Sequence, residues 1–112
     1  MPSSFLTETV ILKSMVYLVR TSTILKDWEK AWKVWSGLAE HVKKEYKEVK
    51  DSYFLTNIAG PTDQVHWVVV FDSLADEERF AMKVYEDKAY FKGMSESQGL
   101  VSSPVDRLYR RE

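Results

Sequence analysis

The chain contains no cysteine, and that absence removes disulfides, thiolate nucleophiles and zinc–thiolate sites together. Histidine is nearly as scarce: only His41 and His66 occur, so a three-histidine metal site within one chain is impossible. Glycine is limited to four residues, and the glycine-built motifs are missing with it. There is no Gly-x-Gly-x-x-Gly, no Walker loop, no Gly-x-Ser-x-Gly elbow and no His-Glu-x-x-His helix. No apolar run reaches the ~18 residues that a membrane span requires. The N-terminus lacks a basic n-region and a small-residue cleavage site, and Lys13 interrupts its apolar stretch, so it does not read as a signal peptide. An excess of charge is also absent. The 16 basic residues face 17 acidic ones, a formal net charge of −1, and no global field points toward nucleic acid or anionic lipid. Together these exclusions predict a cytoplasmic protein with no metal, no nucleic-acid partner and no membrane partner.

What is present suits one ordinary domain. At 112 residues, 45% apolar and 29% charged, the chain is long enough for one core, too short for two and too apolar for disorder. The reading is a single domain over 1–112. Thr7 to Arg20 is rich in Val, Ile, Leu and Tyr and predicts a strand, after which Thr21-Ser22-Thr23 offers hydroxyl caps to a helix. From Ile24 to Tyr46 the helical period is clear, with Trp28, Trp32, Trp35, Ala39, Val42 and Tyr46 forming one stripe. A strand over Asp51–Ala59, a turn at Gly60-Pro61-Thr62-Asp63 and a strand over Gln64–Asp72 follow. Ser73 to Asp76 resembles a capping box and opens a helix carrying Phe80 and Val84. Asp87 takes the next core position, which predicts a break there, then a short helical turn with Tyr90 and Phe91 ending at Gly93. Ser95–Ser103 reads as loop and Pro104–Arg110 as a last strand.

This β-α-β-β-α-β order is the split-βαβ, ferredoxin-like pattern of an α+β fold: two helices on one face of a four-stranded antiparallel sheet. The strands do not fit that picture alone. Val10–Val19 and Val65–Phe71 are apolar on both faces, and a sheet apolar on both faces must be buried on both. Two helices cover one face. The other predicts a partner, most simply a second copy of the chain, giving a homodimer.

Gly60-Pro61-Thr62-Asp63-Gln64-Val65-His66-Trp67, continuing through Phe71-Asp72-Ser73-Leu74-Ala75 to Glu77, resembles the NIPSNAP family. Asp87-Lys88-Ala89-Tyr90-Phe91 resembles the second-helix ending common in dimeric α/β-barrel proteins, antibiotic-biosynthesis monooxygenases among them. The resemblance implies two ferredoxin-like subunits packed sheet to sheet as a dimeric α/β barrel. It also implies a cavity beside the sheet for a small, mostly apolar organic molecule, and a monooxygenase-like activity that needs no cofactor. One departure concerns His66. NIPSNAP-like strands read His, any residue, Trp, whereas His66 and Trp67 are adjacent here, and on an alternating strand that shift turns the histidine to the opposite face. The Trp and His of haem-degrading relatives fall near Tyr85 and Ser95, so that activity is not implied.

The candidate site residues are Tyr53, Asn57 and His66. A hairpin closing with Ala59 opposite Gln64 puts Asn57 opposite His66, Leu55 opposite Val68 and Tyr53 opposite Val70. That face lines a mostly apolar pocket with a few polar anchors, in which His66 serves as a base near neutral pH. The competing reading is a packed histidine satisfied by a backbone carbonyl or a dimer contact. Trp28, Trp32 and Trp35 are expected in the core by their spacing, and His41 is expected in solvent. Arg107, Arg110 and Arg111 lie on an edge strand, where charge discourages aggregation; pairing across a dimer or with an anionic ligand is the alternative. Two functions follow: a dimer that binds or acts on a small apolar molecule, or a non-catalytic dimeric scaffold with a filled lumen. RNA binding on an open sheet comes last, because the third strand lacks the basic-Gly start and the charge of such modules.

Overall fold

β-Branched and aromatic residues are concentrated in the strands, and the computed structural model, which describes residues 14–112, arranges these strands in one sheet. The elements are β1 (Val16–Thr23), α1 (Trp28–Glu45), β2 (Val49–Thr56), β3 (Gln64–Phe71), α2 (Leu74–Val84), α3 (Lys88–Ser97) and β4 (Val105–Arg110). Strand order is β2-β3-β1-β4 with every neighbour antiparallel, which is the ferredoxin-like sheet. The expected Thr7–Lys13 portion of the first strand lies outside the described residues. Among the described residues, no helix is long and apolar enough to cross a membrane.

β1 runs three residues past Arg20. Thr21, Ser22 and Thr23 pair with His66, Val65 and Gln64 instead of capping the helix, because their backbone groups complete the ladder. Asp27 takes over the cap, turning the chain at φ 50° and accepting from the Lys30 amide at 3.2 Å. Ser73 caps α2 as expected.

Val65, Trp67, Val69 and Phe71 of β3 join Ala31, Trp35, Leu38, Ala39 and Val42 of α1, and Phe80 of α2, in one core. The α1 stripe is shorter than its spacing suggests: Trp28 is 49% and Trp32 40% exposed. They occupy the first turns of α1. Trp32 meets the ring of Phe54 on the edge strand β2 at a 5.0 Å separation, and among the described residues no strand lies beyond it. Glu48, covered by Lys83 of α2 through a short ion pair, braces the start of β2 against that helix.

The segment after Asp87 is a ten-residue helix, not a turn ending at Gly93. Gly93 is there because α3 presses on α1. A Cβ at that position would fall 2.5 Å from Leu38 Cδ2 and 2.9 Å from Cγ, and Leu38 is itself buried. Gly93→Val is expected to cost about 1–3 kcal/mol by overpacking. In Gly93→Ala, by contrast, the ~1 kcal/mol gain in helix propensity opposes the clash. Urea midpoints of the two variants check this ordering.

On the other face of the sheet lie Tyr17, Val19, Thr21, His66, Val68 and Val70, none of which joins the helix-side core. Val68 sits between Val19 and Tyr53, and Val70 between Tyr17 and Asp51. Leu55 and Tyr109, both on this face, are 52% and 50% exposed.

Candidate functional site

The alternation of β1 places Val16, Leu18, Arg20 and Ser22 toward the helices, so one charged residue enters the side on which the core forms. Asp106 of β4 is its register partner. The carboxylate accepts from Arg20 Nε and Nη2 at 2.8 Å each, a fork-on-fork pair. The guanidinium carbon lies 5.8 Å from the Trp67 ring centroid and 5.9 Å from that of Tyr90, and Nη1 donates to the Tyr90 hydroxyl in a short bond. Burial opposes the charge, but Asp106 and Tyr90 overcome it and hold the guanidinium above its ordinary value. Arg20 is therefore a fixed cation.

Around this pair a cleft of about 480 Å³ opens between the sheet and the α2–α3 pair. Its walls are Leu18, Trp67, Val69, Leu108, Phe80, Ala81, Val84, Tyr85 and Phe91; its polar groups are Arg20, Tyr90, Asp106, Arg107 and Glu77. Size and lining fit a small organic molecule held by apolar walls and a few anchors. Burial, and next the charge of Glu78, hold the Glu77 carboxyl above the usual range.

Tyr53, Asn57 and His66 all lie away from this cleft, on the opposite side of the sheet. The β2–β3 register differs by two residues from the expected one: Leu55 is opposite His66 and Tyr53 opposite Val68. Asn57 lies just beyond β2, where its amide closes the turn by donating to Pro61 O at 2.6 Å and Gln64 Oε1 at 3.0 Å. A shift of two preserves faces, and His66 still meets Asn57, at 2.7 Å from Nε2 to Oδ1. Because an amide oxygen can only accept, Nε2 donates to it, and Nδ1 lies 2.8 Å from the Thr21 hydroxyl, which can donate or accept. Both ring nitrogens are thus satisfied. Tyr53 shares the face without joining this chain of bonds, its phenol pushed up by burial and by Tyr17 and Asp51.

A second polar cluster joins the helices. Asp87 Oδ2 receives His41 Nε2 at 2.7 Å and the Tyr46 hydroxyl at 2.5 Å, while Oδ1 accepts the Tyr90 amide at 3.0 Å. His41 is accordingly a partner of Asp87 and not a free surface group. Arg20, Glu77, Tyr90 and Asp106 went unselected in the sequence, although two of them leave a signal there. Arg20 interrupts an apolar strand face, and Glu77 precedes Phe80, Ala81 and Val84 at helical spacing.

No family model matches the chain, and no curated protein matches it by sequence. Solved structures do. A NIPSNAP family protein of unknown function from Agrobacterium tumefaciens superposes with a TM-score of 0.67 at 17% identity, over 88% of each chain. SnoaB, a cofactor-independent oxygenase from Streptomyces nogalater, gives 0.70 at 10% identity, over 88% of this chain and 94% of its own. A dimeric protein of unknown function and ferredoxin-like fold from Bacteroides fragilis gives 0.62 at 15% identity, over 88% and 98%. At these identities the likeness is one of fold, and it is the fold the NIPSNAP-like and monooxygenase-like sequence features imply.

Proposed function

We propose that the chain is the subunit of a homodimer that binds a small, mostly apolar organic molecule in the helix-side cleft and acts on it without a cofactor, in the manner of a monooxygenase. The observation that carries this reading is the cleft itself: apolar walls around one fixed cation, on a side of the sheet where core side chains would otherwise meet. Apolar walls exclude water and orient a bound molecule. Arg20, fixed by Asp106 and Tyr90, supplies positive charge to an oxygen that becomes negative during reaction, with no reorganisation of its own. Support also comes from the fold shared with a cofactor-independent oxygenase.

The dimer in this reading forms through the opposite face, where Val19, Val68 and Val70 lie beside half-exposed Leu55 and Tyr109. Tyr53, Asn57 and His66 then belong to the dimer side, and the satisfied Thr21–His66–Asn57 chain of bonds favours a structural role for them. The scaffold alternative needs the cleft to be filled when the protein is assembled.

Native mass spectrometry at low micromolar concentration tests the reading. The expected result is a dimer retaining a reproducible small organic mass, with Leu55→Asp shifting the population to monomer. A bare dimer moves the balance to the scaffold, and a monomer sinks the proposed assembly.

A further inference from the structure

We propose that Glu77 is the hydrogen-bond acceptor by which the cleft selects its ligand, so that the ligand is an apolar organic body carrying an O–H or N–H donor. The proposal rests on the cleft being a ligand site. Its origin is a break in helical patterning. Glu77, Phe80, Ala81, Val84 and Tyr85 recur at i, i+3, i+4, i+7 and i+8, and all five line the cleft. Four suit an apolar wall. The fifth is a carboxylate, placed one turn before Phe80 where a core side chain belongs.

One of its oxygens is also unsatisfied. Glu77 Oε2 is buried and has no hydrogen-bond partner among the described residues. A buried acceptor left alone works against folding, and the neighbouring exposed position, Glu78, carries a carboxylate without that cost. Neither cation of the cleft wall serves it: Arg20 is engaged by Asp106 and Tyr90, and Arg107 makes no bond to Oε2. What completes the arrangement is a donor from outside the chain. The Tyr90 hydroxyl, which accepts from Arg20, keeps its own hydrogen for an acceptor atom. A ligand with a donor toward α2 and an oxygen toward α3 satisfies both groups.

The test uses 2-naphthol and naphthalene as probes, two molecules that differ by one hydroxyl. Each is titrated into the full chain and followed through the methyl NMR signals of Leu18, Val69 and Val84. The wild type is expected to bind 2-naphthol about tenfold more tightly than naphthalene, the worth of one charge-assisted hydrogen bond. Glu77→Leu is expected to abolish that preference, keep naphthalene binding and melt no lower than wild type. Glu77→Gln keeps an amide acceptor and is expected to retain part of the preference. Equal affinities in the wild type, or a preference that survives Glu77→Leu, overturn the role of Glu77 and leave the cleft as a ligand site. A Glu77→Leu protein that melts well below wild type marks the residue as structural and also counts against it. If neither probe moves the cleft methyls, the cleft reading falls and the Glu77 proposal with it.

Discussion

Trp35→Ala is expected to lower the unfolding free energy by about 3–5 kcal/mol, while Trp35→Phe is expected to cost less than about 1 kcal/mol. Trp35 is 1% exposed, at the point where α1 meets β2 and β3. Its ring lies 6.3 Å from Phe54 and 6.1 Å from Trp67, and truncation to a methyl group leaves a cavity bounded by rigid strands. The loss is large against a total domain stability of ~5–15 kcal/mol. The phenylalanine variant separates two contributions. Trp35 Nε1 is buried without a partner among the described residues, whereas Trp67 Nε1 donates to Ser52 Oγ at 2.8 Å. Removing the orphaned donor relieves a penalty of ~1–3 kcal/mol that offsets most of the lost packing. Trp67→Phe has no such compensation and strands the Ser52 hydroxyl, so it should be the costlier of the two. Urea unfolding followed by far-UV circular dichroism orders the three variants. A Trp35→Phe protein as unstable as Trp35→Ala would count against the orphan-donor account.

The contrast between these tryptophans also separates what local sequence patterns determine from what only the packed fold determines. A dense run of β-branched and aromatic residues identified β3, and helical period identified α1, because both are local patterns carried by many residues. Burial of Trp28 and Trp32 was not legible, since it depends on how far the helix overhangs an edge strand. The two-residue slip of the β2–β3 register was hidden for a related reason. A turn containing Gly60 and Pro61 closes in several lengths, and a slip of two leaves every side chain on its own face. Asn57 and His66 were paired correctly in space by a register that was wrong along the chain. The cleft was the least legible feature. Arg20 and Asp106 lie 86 positions apart, and only the β1–β4 pairing brings them together. Glu77, in contrast, left a local trace as a carboxylate on an apolar helical stripe.

Asp87→Ala is expected to cost about 2–4 kcal/mol, from a lost helix cap of ~1 kcal/mol and a stranded hydroxyl of ~1–3 kcal/mol. One carboxylate serves two helices here: it caps α3 through the Tyr90 amide and receives His41 of α1 and Tyr46 at the end of α1. Its side chain is only 12% exposed. Burial alone would raise its pKa, but the Tyr46 hydroxyl, the Tyr90 amide and His41 outweigh burial and hold it at about 2 against an ordinary 3.8. Burial, and next the same contact with Asp87, push the Tyr46 phenol up. The sign follows from proton uptake: between these two values the unfolded chain binds the proton and the native one does not. The stability is therefore present above about pH 4 and lost as the pH falls through about 2, an acid-limb contribution of about 1 kcal/mol after solvent screening. Asp87→Asn keeps the cap and the volume while removing the charge, so it should lose this acid limb and retain most of the neutral-pH stability. Glu48 and Asp51 are also held below the usual carboxylate range, chiefly by Lys83 and Lys43, and destabilise in acid on their own account. The diagnostic quantity is thus the difference between wild type and Asp87→Asn from pH 5 to pH 2. A difference that stays constant with pH would remove the charge of Asp87 from the account of its role. The double variant with Tyr46→Phe completes the argument. Once Asp87 is gone the Tyr46 hydroxyl is a burden, so adding Tyr46→Phe to Asp87→Ala should restore part of the loss, where additive effects would deepen it.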